Sequence, residues 1–136
     1  MKIDGQCHCG AIAYEAELDP AKMGICHCSD CQLLSGSAFR TVAVVSAETF
    51  RLIRGTPKEY IKTAESGNAR VQAFCGECGS ALYACDTGGA PAAFNLRAGT
   101  IRQRAEIAPR FECWRRSALP WVEEVDGTVK FEKAPG

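Results

Sequence analysis

Seven of the nine cysteines lie in three short groups whose spacing suits a metal ion better than a disulfide bond. The groups read CHC at residues 7–9, CHCSDC at 26–31 and CGEC at 75–78. Cysteines two residues apart form disulfides poorly, whereas their thiolates can share one ion. The total is also odd, so complete internal pairing is impossible. We therefore expect metal-binding cysteines in a protein of the reducing cytoplasm.

The first and third groups are predicted to bind one structural zinc ion together. Cys75-Gly76-Glu77-Cys78-Gly79 is typical of a zinc knuckle, in which a tight turn points two thiolates at one ion. Four thiolates at about 2.3 Å make a closed tetrahedral site. We therefore pair Cys7 and Cys9 with Cys75 and Cys78. A redox dithiol is the alternative for the third group, although no βαβ pattern surrounds it.

The middle group offers three thiols, those of Cys26, Cys28 and Cys31. Three ligands leave one position open on a tetrahedral ion, and an open position is typical of catalytic zinc. The alternative is a second closed site, with a fourth ligand taken from His27, Cys85, Cys113 or His8. A histidine between two ligating cysteines usually points away from the metal. His27 is therefore a candidate for proton transfer.

Charge determines which chemistry an open three-thiolate site supports. Three thiolates give the zinc centre a net charge of about −1, so it is a poorer Lewis acid than zinc held by three histidines. Such a centre suits water activation poorly, but it can hold an exogenous thiolate that remains nucleophilic near neutral pH. We expect attack of that thiolate on a small electrophile such as an aldehyde, or the reverse carbon–sulfur cleavage.

The charge distribution gives one candidate binding segment. The formal net charge is zero, so no general affinity for nucleic acid or membranes is indicated. Residues 97–116, however, contain six arginines and only two glutamates. Arg97, Arg110 and Arg116 are candidates for binding the carboxylates of a thiol substrate. The alternatives are a surface for nucleic acid phosphates and a solvated face paired with nearby acids. The N-terminus lacks a signal-peptide pattern, and no apolar run is long enough to span a bilayer.

Short strand patterns separated by turn residues predict a mainly β fold with little helix. The predicted strands are 12–18, 38–45, 50–54, 58–63, 69–74, 81–85, 93–98, 110–114 and 128–132. Only residues 29–34 favour a helical turn. The cysteine groups fall between these segments, in turns where the backbone can wrap a metal. The length predicts one domain, residues 1–136.

Four motifs occur in the order seen in a known family. The chain reads GQCHCGAIAY at 5–14, CHCSDC and then SGSAF at 26–39, FCGECGSALY at 74–83, and LPW at 119–121. Over roughly residues 5–121 these motifs resemble the glutathione-dependent formaldehyde-activating enzyme family, which includes the centromere protein V type. The resemblance implies an Mss4-like fold of coiled antiparallel sheets.

The resemblance also implies two zinc ions per chain. The structural ion would be bound by Cys7, Cys9, Cys75 and Cys78, and the catalytic ion by Cys26, Cys28 and Cys31. The implied activity is that of a carbon–sulfur lyase that joins glutathione and formaldehyde to give S-hydroxymethylglutathione. A small thiol and a small aldehyde are thus the expected partners.

The chain departs from the family pattern before the closing Pro-Trp. Many members have His-Ile-Phe or His-Ile-Trp there, whereas this chain has Glu112-Cys113-Trp114. Glu112 therefore stands where a histidine is common. If that histidine assists proton transfer in relatives, Glu112 must replace it or the activity differs.

Overall fold

β-Strands account for most of the regular structure. The computed structural model describes residues 1–135, which form ten strands, one α-helix and several short 3-10 turns. The strands are β1 (Lys2–Gln6), β2 (Ala13–Glu17), β3 (Met23–Cys26), β4 (Arg40–Ser46), β5 (Arg51–Arg54), β6 (Lys58–Thr63), β7 (Ala69–Phe74), β8 (Ala81–Asp86), β9 (Ala93–Arg97) and β10 (Phe111–Cys113). The 3-10 turns are Pro20–Lys22, Ala98–Thr100, Arg104–Glu106, Arg115–Ser117 and Val122–Gly127. The prediction of a mainly β fold with little helix is confirmed.

The strands form two sheets. One has three strands in the order β1-β2-β5, and the other has seven in the order β10-β3-β4-β9-β8-β7-β6. The pairs are antiparallel except β10 with β3, which run parallel. Strand β4, an interior strand of the larger sheet, reads RTVAVVS, and its β-branched residues favour the extended conformation.

The single α-helix, α1 (Ser29–Ser35), is short, with Cys28 as its N-cap and Gly36 as its C-cap. The sulfur of Cys28 accepts a hydrogen bond from the Cys31 amide at 3.3 Å and so serves as the N-cap. Gly36 ends the helix in the left-handed conformation, which glycine adopts without steric cost. No helix among residues 1–135 is long and apolar enough to cross a membrane.

The two faces of the seven-stranded sheet differ in polarity because side chains alternate along each strand. On one face, Ala43 and Val45 of β4 join the hydrophobic core, together with Leu96 of β9. Tyr14 and Ile101 are buried in the same core. The opposite face buries Arg40, Gln72 and Arg97. We call this second side the polar face, and the helix α1 begins next to it.

The last predicted strand, residues 128–132, is wrong. In the described part of the chain this segment pairs with no other strand, and it follows the 3-10 turn Val122–Gly127. The Lys130 ammonium donates to carbonyl oxygens at the end of that turn, including that of Asp126 at 3.0 Å. Val129 is 80% exposed. Alternation alone cannot make a strand where no neighbouring strand offers hydrogen bonds.

Two strands were missed by the sequence analysis, whereas the other predicted strands and the helical turn are confirmed. Strand β1 contains Gly5, which weakens a strand pattern. A Cβ at Gly5 would lie 2.4 Å from the Tyr14 hydroxyl and from the Thr100 carbonyl oxygen, so packing requires a glycine. Strand β3 contains Gly24, whose place beside the Phe111 ring is equally tight.

Candidate metal centres and the adjoining cavity

Cys7, Cys9, Cys75 and Cys78 form the four-cysteine cluster, which connects the β1–β2 turn with the β7–β8 turn. Their sulfur atoms all lie within 4.8 Å of one another. The Sγ–Sγ distances are 3.7 Å from Cys7 to Cys9 and 3.8 Å from Cys9 to Cys75. Four sulfurs placed tetrahedrally at about 2.3 Å from one zinc ion would be about 3.8 Å apart. The spacing therefore fits one zinc ion.

Two tight turns of similar form present these sulfurs. The Gly10 amide donates to the Cys7 carbonyl at 3.1 Å, and the Gly79 amide donates to the Cys75 carbonyl at 2.8 Å. Both glycines have positive φ, at +80° and +79°, a conformation that side-chain-bearing residues rarely adopt. Gly10 and Gly79 thus allow the two turns, and the turns direct the four thiols toward one another.

Polar groups around the four-cysteine cluster favour the thiolate form of two of its members. The Ser80 hydroxyl lies 3.2 Å from Cys78 Sγ and lowers the pKa of the Cys78 thiol to about 5. Burial acts to raise the pKa of the Cys7 thiol, yet the Ile12 amide, which donates to the Cys7 sulfur at 3.3 Å, helps to hold that pKa below its ordinary value. Cysteine binds metal as the thiolate, so both contacts assist metal binding.

Cys26, Cys28 and Cys31 form the three-cysteine cluster, at the end of β3 and the start of α1. Their sulfurs lie within 4.8 Å of one another, and no fourth cysteine, histidine or carboxylate of residues 1–135 joins the group at that distance. The hydrogen bond with Cys31 lowers the pKa of the Cys26 thiol to about 5 and raises that of Cys31. One sulfur is therefore a thiolate at neutral pH. The donor set fits an ion with one position left for an outside ligand.

The four residues considered as a fourth ligand lie outside this group. His27 points to Glu112, with Nε2 at 2.7 Å from Oε1. Cys113 is paired with Cys26 across β10 and β3, but its sulfur is not part of the group within 4.8 Å, and its thiol donates to the Ile25 carbonyl at 3.6 Å. Cys85 is buried within β8, and His8 is exposed in the β1–β2 turn. The geometry thus favours the open site over the closed one.

His27 and Glu112, both singled out from the sequence, form one hydrogen-bonded pair. His27 is buried against the Phe39 ring, and its Nδ1 has no hydrogen-bond partner among the described residues. Glu112 is 46% exposed and also contacts Arg115. The hydrogen bond with His27 lowers the pKa of Glu112, which is therefore ionised at neutral pH. The pair thus extends from His27, which lies between Cys26 and Cys28, to the solvent-exposed carboxylate of Glu112.

The arginines of residues 97–116 do not form one basic surface. Arg97 is buried. Arg116 is exposed, forms an ion pair with Glu65 at 2.7 Å and lies over the Trp114 ring. Arg110 is exposed on the solvent side of the chain. Of the three arginines expected to bind carboxylates, Arg97 lines a cavity. The remaining pairs, Arg102 with Asp4 and Arg115 with Glu123, match the alternative of a solvated, neutralised face.

Arg40 lines the same cavity as Arg97 and was missed by the sequence analysis. Its only sequence signal is a charged residue at the start of a β-branched strand, a place where a buried charge is uncommon. Gln72 of β7 joins the two arginines, and it gives the same signal as a polar residue within an apolar run. None of the three belongs to a cysteine motif.

A family model described as glutathione-dependent formaldehyde-activating enzyme matches residues 2–117. The chain is 27% identical over 88 residues to an uncharacterized lyase of Schizosaccharomyces pombe, covering 65% of this chain and 61% of that protein. It is also 27% identical over 90 residues to a Halomonas elongata protein, named as a candidate glutathione-dependent formaldehyde-activating enzyme, covering 63% and 57%. The match thus spans about three fifths of these curated relatives.

A solved structure of a Rhodobacter sphaeroides protein has the same fold. The TM-score is 0.59 at 22% identity, and the match covers 80% of this chain and 98% of that chain. At this level of identity the likeness shows the fold alone.

Proposed function

Because the chain belongs to the glutathione-dependent formaldehyde-activating enzyme family, we propose that it joins a small thiol such as glutathione to formaldehyde or a similar aldehyde. The reaction forms a bond between the thiol sulfur and the carbonyl carbon, and the thiol proton ends on the new hydroxyl group. The reverse reaction is carbon–sulfur cleavage. The observation that supports this proposal best is the three-cysteine cluster, which has no fourth protein ligand among residues 1–135.

The two cysteine clusters would have different tasks. A zinc ion held by Cys26, Cys28 and Cys31 supplies, when bound, one free position at which a thiol sulfur can lose its proton. The protein holds the three sulfurs together through the end of β3 and the first turn of α1. The four-cysteine cluster would hold a second, structural zinc ion that connects the two sheets.

The proton of the reaction needs a carrier, and we assign this task to His27 and Glu112. Oε1 of Glu112 accepts a hydrogen bond from Nε2 of His27 at 2.7 Å, and the carboxylate extends to solvent. This arrangement lets Glu112 take the place of the histidine that many relatives have at its position. A proton can then pass between the neighbourhood of the cluster and water.

Calorimetry with zinc-loaded protein tests the sulfur-binding step. Glutathione should bind, whereas S-methylglutathione should bind much more weakly because it cannot supply a thiolate. Binding of glutathione should strengthen as the pH rises toward the pKa of a free thiol, about 8.5. Equal affinities for the two ligands would show that sulfur is not the anchor.

Two cysteine variants provide a matched control. Cys28→Ser removes a cluster sulfur and should abolish the preference for glutathione. Cys113→Ser changes a neighbouring cysteine that lies outside the cluster, and it should leave the preference intact. Formaldehyde should then be consumed by the wild type with glutathione faster than in the uncatalysed mixture. If the wild type shows no preference and Cys113→Ser gains one, the closed-site alternative with Cys113 as fourth ligand would be supported instead.

A further inference from the structure

Two arginine side chains are buried on the polar face, beside one cavity. Arg40 and Arg97 are 6% and 8% exposed, although arginine is among the residues least often buried. The cavity has a volume of about 330 Å³, and its other walls include Leu34, Tyr60, Phe74 and Ala81. This volume lies in the lower range of small-molecule sites, roughly 300–1,000 Å³.

The two guanidinium charges lack a carboxylate partner in the described part of the chain. Neither forms an ion pair with the acids of residues 1–135. Both donate to Oε1 of Gln72, a neutral acceptor, at 3.2 Å from Arg40 and 2.7 Å from Arg97. Nε and Nη2 of Arg40 and Nε of Arg97 have no acceptor among these residues. Buried charges of this kind are costly unless an anion joins them.

The cavity adjoins the three-cysteine cluster. Arg40 lies opposite Cys26 in the β3–β4 register, and the paired positions share one face of the sheet. Leu34, in the last turn of α1, closes the cavity on the side of the helix that carries Cys31. Zinc with three thiolates carries a charge of about −1, so it balances one guanidinium at most. One positive charge remains without a counter-charge.

We propose that the Arg40–Arg97 cavity is an anion subsite, which binds a carboxylate of the thiol substrate and so selects anionic thiols over neutral ones. A carboxylate fits the fork of a guanidinium bidentately, and two guanidiniums around one cavity can grip it from two sides. The inference rests on the proposed function for the identity of the ligand. A thiol whose sulfur binds at the three-cysteine cluster would place its carboxylate in the adjoining cavity. Gln72 positions both arginines through its single oxygen atom.

Three probes test the subsite by calorimetry on zinc-loaded protein: glutathione, its diethyl ester and S-methylglutathione. Wild-type protein should bind glutathione at least about tenfold more tightly than the diester, because the ester forfeits charge-assisted hydrogen bonds. Arg97→Gln should weaken glutathione binding by at least about tenfold and change diester binding little. Arg40→Gln should act in the same direction. Arg104→Gln, an exposed arginine elsewhere in the chain, is the charge-matched control.

Arg97→Lys keeps the charge and should retain part of the affinity, which guards against a folding defect in the glutamine variants. The wild-type ratio of glutathione to diester affinity requires no variant at all, and a ratio near one overturns the subsite. An equal loss for both ligands in Arg97→Gln also overturns it, because the arginines would then act on the cysteine cluster.

Failure of the proposed function gives a different result. If S-methylglutathione binds the wild type as tightly as glutathione, sulfur is not the anchor. A loss of S-methylglutathione affinity in Arg97→Gln would still support the anion subsite in that case.

Discussion

Cys7 and Cys75 differ from the other cluster cysteines because they belong to the hydrophobic core. Each is 1% exposed and packs in the same buried group as Tyr14 and Leu82. The cysteines of the three-cysteine cluster are only half-buried. If a buried cysteine loses the other members of its cluster, its thiol stays buried without a hydrogen-bond partner, which costs free energy. A half-buried thiol can instead be hydrated by water. The two clusters should therefore contribute differently to the free energy of unfolding.

Cys75→Ser should impair folding severely, while Cys28→Ser should largely spare it. Zinc supplies roughly 10 kcal/mol of apparent folding free energy in small zinc domains, comparable to the net stability of a whole domain. Cys28 lies in a short loop, and serine is itself a good helix N-cap, so its replacement preserves α1. Thermal unfolding followed by circular dichroism measures both variants. Equal losses of melting temperature would contradict this division of roles.

The cysteine groups could be predicted from the sequence because each group places two or three cysteines within a few residues of one another. The Arg40–Arg97 cavity could not, because its residues meet only through the order of four neighbouring strands, β4-β9-β8-β7. No spacing along the chain encodes that order. The same reason explains why Arg110 and Arg116, close to Arg97 in sequence, lie elsewhere in space.

At the scale of elements, Asp4 holds strand β1 against the segment that follows β9. Its carboxylate pairs with Arg102 at 3.0 Å and accepts a hydrogen bond from Gln103 at 2.8 Å. The backbone contributes as well, since the Arg102 amide donates to the Asp4 carbonyl. One strand at the edge of the small sheet is thus bound to residues almost a hundred positions away.

Asp4→Asn should lower the melting temperature by at most about 3 °C near neutral pH, because a solvent-screened ion pair contributes roughly 0–1 kcal/mol. The hydrogen bonds from Arg102 and Gln103 lower the pKa of Asp4 below 3.8 in the folded state. The contribution of the Asp4 carboxylate to the free energy of unfolding is therefore fully present above pH 3.8. It disappears as the pH falls through the folded-state pKa of Asp4. The difference between wild type and variant should stay constant from pH 7 to 5 and shrink below about pH 4.

Glu48→Gln is the control for Asp4→Asn, because Glu48 forms no ion pair within residues 1–135. Its melting temperature should follow that of the wild type at every pH. A constant difference between Asp4→Asn and wild type down to pH 2.5 would exclude the Asp4 charge as the cause.

Elements with strong β-branched patterns could be predicted closely, and β6 and β7 match their predicted bounds. The errors occur where the tertiary environment overrides local pattern. Strands β1 and β3 contain glycines demanded by close packing, which weakens their pattern. Residues 128–132 show the opposite case, a pattern without a neighbouring strand to pair with.

At the scale of the whole molecule, the two cysteine clusters occupy different mechanical positions. The four-cysteine cluster connects a turn of the three-stranded sheet with a turn of the seven-stranded sheet. The three-cysteine cluster lies within one short stretch at the edge of α1. A metal ion in the first cluster would therefore join the two sheets, whereas an ion in the second would join residues of one short segment.

The protein should contain up to two zinc ions per chain and lose them in two steps during titration with a chelator. The ion of the three-cysteine cluster should leave first, because three ligands leave a route for exchange. Metal analysis at each step, combined with circular dichroism, tests the order. The first loss should preserve the β signal and the second should abolish it. Loss of both ions in one step, or absence of zinc from freshly reduced protein, would contradict the two-site assignment.

The separation of Cys9 and Cys75, 66 residues apart in the chain, also bears on how the protein is made. A nascent chain that ends before Cys75 can offer this site only two of its four sulfurs, and two thiols bind zinc weakly. Closing so long a loop costs entropy that must be met before the ion contributes its binding free energy. If this site holds zinc, as we propose, the ion would therefore be captured late in biogenesis. During ribosomal synthesis the thiols of Cys7 and Cys9 would have to remain reduced and without metal until Cys75 and Cys78 are made.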